Sequence, residues 1–178
     1  MNVYLLFVAG RWAGLLAMCV LLFQLVTMGQ GRTAEKFVGK PILSKLHFTC
    51  GWIAAVLVGI HAGLILTARS VSYGDGYAKT WAEFMLDGSW GSATLAGITL
   101  FTVALACAAL FRRRRLSYAT FRKTHFLMYP AAALLFGHQI FCGLDFVNSV
   151  TLRTAWMAFC GLFVADVVVW KVRSIKWK

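Results

Sequence analysis

The sequence has four histidines, which lie in two apolar segments as widely spaced pairs: His47 with His61, and His125 with His138. An imidazole set in hydrocarbon must have a partner for its ring nitrogens, or its burial is costly. Two imidazoles at one depth, one from each segment, form the complete axial set of a six-coordinate b-type haem, whose porphyrin supplies the other four nitrogens. Two such depths would hold two stacked haems, an inner one on His47 and His125 and an outer one on His61 and His138. A zinc site wants about four ligands around one ion, which two histidines per level do not supply. No Cys-x-x-Cys-His sequence for covalent haem attachment occurs,. Cys19, Cys50, Cys107, Cys142 and Cys160 are dispersed and read as incidental thiols.

Hydrocarbon around these histidines is implied by composition. Hydrophobic residues make up 60% of the chain, Asp plus Glu number only 6, and the runs Leu46 to Ala68 and Gly88 to Phe111 are uncharged and long enough to span a bilayer,. A closed barrel would show short alternating strands and hairpin turns, so the spans must be helices. The expected architecture is an all-α polytopic membrane bundle of five transmembrane helices, near residues 3–28, 43–68, 91–111, 120–142 and 153–171,. The first is read as a retained helix, since it lacks a basic leader and outlasts a signal-peptide core. Residues 1–178 are expected to form one di-haem transmembrane domain, with no flavin or nicotinamide domain.

The net charge of +12 is distributed by loop. Arg32, Lys36, Lys40 and Lys45 mark the first loop, Arg112 to Arg115, Arg122 and Lys123 the third, and Lys171, Arg173, Lys176 and Lys178 the tail. Between residues 69 and 90, Arg69 and Lys79 are offset by Asp75, Glu83 and Asp87, and the fourth loop carries only Asp145 and Arg153. The positive-inside rule then puts the basic loops and the C-terminus in the cytoplasm and the N-terminus outside, as in a bacterial inner membrane. Such a surface suits anionic lipid headgroups or an acidic electron donor rather than nucleic acid. Ser72 to Tyr77 reads as outer loop, with too few carboxylates for calcium, and Trp81 to Leu86 as a short interfacial amphipathic segment.

This orientation gives the histidines their depths. Separations of 14 and 13 residues correspond to rises of ~21 and ~20 Å, so His47 matches His125 and His61 matches His138. Azimuth is stricter: His61 lies about 40° from His47, but 13 residues rotate an ideal helix by about 220°. Pro130, between His125 and His138, removes a backbone donor, and a bend there would redirect one ring. Gly51, Ala54, Ala55 and Val58, with Ala131 to Ala133 and Gly137, leave room for a flat cofactor, or equally for tight helix packing. Phe48, Phe126 and Phe136 either fill the space between cofactors or pack ordinarily.

The stretch Lys45 to Trp52 through Gly59-Ile60-His61, followed by Leu116 to Tyr129 through Gly137-His138 with its Phe-Arg-Lys-x-His-x-x-x-Tyr order, resembles the ferric reductase-like transmembrane domain of ferric reductases and NADPH oxidases. The resemblance covers nearly the whole chain. It implies inner and outer b haems on these histidines, and it draws attention to Arg11 and Arg122, each beside haem propionates or else among headgroups. Family oxidases can place a further histidine one turn beyond the outer ligand. Here Ile65 stands there, which argues against specialised superoxide production. Asp166 reads as an ion pair or interfacial carboxylate.

Family members often continue into flavin and NAD(P)H domains. This chain would therefore draw electrons from a separate cytoplasmic flavoprotein and pass them to an outer acceptor, as the membrane part of an oxidoreductase. The alternative is a haem membrane subunit serving a periplasmic methionine sulfoxide reductase or another redox protein. A haem sensor, an assembly factor and a structural bundle remain behind these.

Overall fold

The computed structural model describes residues 2–29, 31–86 and 89–176, with the side chains of 26–29, 31–34, 89, 166, 167 and 170–176 left outside the description. The described chain is all-α. Its helices are α1 (Val3–Gly29), α2 (Gly31–Val38), α3 (Lys40–Tyr73), α4 (Tyr77–Leu86), α5 (Ser89–Arg112), α6 (Tyr118–His125), α7 (Met128–Cys142), α8 (Leu144–Val147) and α9 (Val150–Lys176).

Local chemistry explains the boundaries. α3 opens on Gly39, whose φ of 80° suits a residue without Cβ, with Pro41 in its first turn, where no backbone donor is needed,. It closes on Gly74 in the left-handed region, and Asp75 N–H also returns to the Ser70 carbonyl,. Ser117 caps α6 by accepting the Thr120 N–H at 3.2 Å,.

Among the described residues three helices are long and apolar enough to cross a membrane: Val3–Leu25, Lys40–Tyr73 and Trp90–Arg112. This is a membrane protein, and these three helices fall on the first, second and third of the five expected spans. The expected helix over 120–142 is divided into α6 and α7, and the 15 residues of α7 rise only ~22 Å,. The apolar helix described for the fifth is Val150–Ala165. The basic first loop contains α2, and the expected segment at 81–86 is the end of α4.

Two compact units make up the chain: residues 1–77 with 151–178, and residues 78–150. In the first, α1 packs along α3. Gly10 meets His61 and Gln24 meets His47, so the helices run antiparallel, and the fourteen-residue offset is the same on both. In the second, α5 packs along α6 and α7 in one antiparallel register. Trp90 stacks on Phe141 at 4.2 Å, Thr94 meets His138, Gly97 faces Leu134, and Phe111 stacks on Phe121 at 4.4 Å.

Pro130 accounts for the break between α6 and α7. It has no N–H to give the Phe126 carbonyl, which accepts instead from Tyr129 at 3.2 Å, and Leu127 N–H bonds to Thr124 at 3.0 Å,. These i→i−3 bonds are a short 3₁₀ turn. At about 120° per residue rather than 100°, two such residues add ~40° between His125 and His138, which narrows the azimuthal misfit without closing it.

Small residues line both contacts, since lipid gives helices no hydrophobic reason to bury large ones. Ala54, Ala68, Ala104 and Ala131 have no exposed surface, whereas Leu5, Leu16, Trp52, Val56 and Val103 are exposed. The Gln24 side chain, 7% exposed, donates to the His47 carbonyl at 2.6 Å. Gln24→Leu keeps the volume and removes the bond, so equilibrium unfolding in mixed detergent should show a loss of about 0.6 kcal/mol.

Candidate functional site

His61 is fixed by the glycines of α1. Its Nδ1 lies 2.8 Å from the Gly10 carbonyl, which can only accept, so Nδ1 carries the proton and donates,. Gly10 and Gly14 form a flat facet one turn long, which lets α3 approach: a Cβ on Gly10 would come 2.9 Å from Ile65 Cδ1, and one on Gly14 2.8 Å from His61 Nδ1. Arg11 is half-buried in the same turn of α1, between the two glycines. The sequence signal was present as Gly10-x-x-x-Gly14, a small-residue packing pattern,.

His47 lies on the same helix about 21 Å away, half-buried, with its backbone carbonyl bound by Gln24,. Gly51, read either as helix packing or as room for a cofactor, would bring a Cβ to 3.4 Å from Gln24 Nε2, and Ala54 is fully covered. These small residues serve helix packing.

In the second unit His138 is enclosed by three groups. Its Nδ1 is 2.8 Å from Thr94 Oγ1, the Phe84 ring of α4 meets it edge-on at 5.9 Å, and Trp90 packs on the neighbouring Gly137, where a Cβ would come 2.5 Å from the indole. Thr94 is 3% exposed and escaped the sequence reading, because a lone threonine in an apolar helix has no pattern to betray it. His125 ends α6 and stacks on Phe121 at 5.1 Å and 28°, which in turn stacks on Phe111 of α5. Arg122 is exposed on α6, beside the exposed Lys123. Phe48 and Phe126 are also exposed rather than enclosed, Phe126 at 62%.

α5 ends at Arg112, and the chain reverses through exposed Arg113 to Arg115, with Arg114 at φ 55° and Arg115 N–H bonded to the Leu110 carbonyl. The side chain of Asp166 lies outside the described residues.

One expectation must be corrected. Two b-type haems were expected on His47/His125 and His61/His138, but among the described residues no group of three or more histidine, cysteine, aspartate or glutamate side chains gathers that could hold a metal ion. Within each unit the two histidines stand apart, His47 and His61 by about 21 Å along α3 and His125 and His138 on α6 and α7, so neither unit by itself gathers a donor set,. The donor set does not fit the metal centres assigned to it, and the two-haem assignment does not stand.

Residues 13–136, well over half of the chain, match the model of the ferric reductase like transmembrane component family. The chain belongs to that family. The match contains His47, His61 and His125 and ends two residues before His138, while Arg11 lies two residues ahead of it. No curated protein and no solved structure matches the chain. As a ferric-reductase-like membrane domain, it has a context consistent with a redox role.

The glycine facet gives a direct comparison. Gly14→Ala should press on the His61 ring and lower stability by about 1–3 kcal/mol through overpacking. Gly59→Ala and Gly63→Ala, where an added Cβ meets nothing within 4 Å, should be near neutral in the same unfolding assay.

Proposed function

We propose that this ferric-reductase-like membrane domain is a transmembrane electron-transfer component, taking electrons from a separate cytoplasmic donor and delivering them to an acceptor outside. The observation that carries the reading is the family match over residues 13–136. The structure adds α3, of membrane length, with half-buried His47 and His61 about 21 Å apart along it,. In this proposal the chain crosses the membrane five times with its N-terminus outside, and the basic segments face the cytoplasm.

His47, His61, His125 and His138 are the residues around which the electron path is organised. His47 and His125 serve the cytoplasmic level, and His61 and His138 the outer one. Arg11, in the glycine turn that holds His61, supplies positive charge near the outer level. Arg122 and Lys123, with Arg112 to Arg115, form an exposed cationic surface that attracts an acidic donor protein or anionic headgroups,. Met1–Lys178 acts as one membrane domain, and reduction from NAD(P)H comes through a partner flavoprotein.

The test uses sealed vesicles of known orientation, with reductant and a flavoprotein donor on the cytoplasmic-equivalent side and an impermeant ferric chelate on the other. Crossing electrons should reduce the chelate, and replacing any of the four histidines by alanine should cut the rate at least tenfold. Raising salt from low to physiological strength should slow donor-dependent reduction, because the Debye length shrinks to about 8 Å and steering between exposed charges is screened. No crossing in the intact protein with a competent donor would defeat the proposal.

A further inference from the structure

Thr94 has one hydroxyl proton and two oxygen-bound neighbours to satisfy. Its Oγ1 is 2.6 Å from the Trp90 carbonyl oxygen and 2.8 Å from His138 Nδ1. A carbonyl can only accept, so the approach of two oxygens to 2.6 Å requires the threonine proton between them. Toward His138 the hydroxyl then offers only a lone pair, and the hydrogen on that second bond must come from the imidazole.

We propose that Thr94 is a positioning residue that holds His138 as the Nδ1–H tautomer, through the relay His138 Nδ1–H to Thr94 Oγ1 and Thr94 O–H to the Trp90 carbonyl. In the neutral ring the unprotonated nitrogen is then Nε2. His61 reaches the same tautomer by a shorter route, donating Nδ1–H directly to the Gly10 carbonyl. Helices of different units thus fix the two histidines in the same protonation pattern, one by a backbone acceptor and one by a borrowed backbone acceptor.

The relay is held by packing as well as by bonds. Thr94 is buried, the Phe84 edge limits rotation of the His138 ring, and Trp90, the source of the carbonyl, is pinned between Gly137 and Phe141. A hydroxyl bonded back to the i−4 carbonyl is a common local arrangement in helices. Here it sets the direction of the next hydrogen bond. The consequence for function rests on the electron-transfer role proposed for His138, but the tautomer does not.

The test is 15N magnetic resonance of the full-length protein in lipid, labelled at histidine. Protonated and bare ring nitrogens are resolved by shift, and His138 is assigned by its loss in His138→Gln. In the unaltered protein His138 should show a protonated Nδ1 and a bare Nε2. Thr94→Val, similar in shape but without the hydroxyl, should shift the tautomer ratio about five-fold toward Nε2–H, the equivalent of one hydrogen bond of ~1 kcal/mol. Thr94→Ser should retain the original pattern, and His61 should be unchanged in both variants. A protonated Nε2 in the unaltered protein, or an unchanged His138 in Thr94→Val, would overturn the proposal. Failure of electrons to cross the vesicle membrane would instead sink the functional reading and leave the tautomer result intact.

Discussion

In hydrocarbon a polar group must find its partner inside the protein, and this constraint governs how the helices of each unit are joined. Between α1 and α3 the Gly10 carbonyl takes the His61 ring N–H, and the His47 carbonyl takes the Gln24 amide. Equal offsets on the two helices mean that neither contact can slip without breaking the other. The depth and rotation of both histidines therefore follow from two hydrogen bonds and from the glycines that allow the helices close enough to form them. Apolar packing alone would not select this register, since a leucine face slides past another at little cost in lipid.

The second unit meets the same constraint around a defect. Pro130 leaves the Phe126 carbonyl without its i+4 donor, and the backbone tightens into 3₁₀ bonds that satisfy it locally,. Despite the break, α6 and α7 keep one register against α5, from the Phe111 and Phe121 stack to that of Trp90 and Phe141. The defect therefore changes rotation more than position along the helix. It adds turn between His125 and His138 while the aromatic stacks hold both ends.

Helix type and the longest apolar spans were legible because hydropathy is a property of the chain itself. The Pro130 break was legible too, since a missing donor needs no tertiary context. What escaped depended on neighbours. Thr94 and Gln24 matter through what they face, and no periodicity identifies a single polar residue among apolar ones. Gly10-x-x-x-Gly14 was readable as a packing pattern, but its service to His61 was not. The two-haem assignment failed where spacing was asked to stand for assembly: matched depths on two helices do not bring a set of donors together. Family membership over residues 13–136 is firmer, because it draws on the whole pattern of the chain.

The small residues show why composition alone misleads about a site. Gly51 and Ala54 look like space kept for a cofactor, yet Gly51 lies against the Gln24 amide and Ala54 is completely covered. Gly14 looks like one more packing glycine, yet a methyl there would strike the His61 ring. Room near a functional side chain has value only if the side chain is held still within it, and a ring locked by packing and a hydrogen bond loses less when a second group engages it. His61 and His138 meet that condition through Nδ1, His61 against the Gly10 carbonyl and His138 against the Thr94 hydroxyl. The glycines hold His61 in one unit and the buried threonine holds His138 in the other, and without them each imidazole would keep its depth but not its direction.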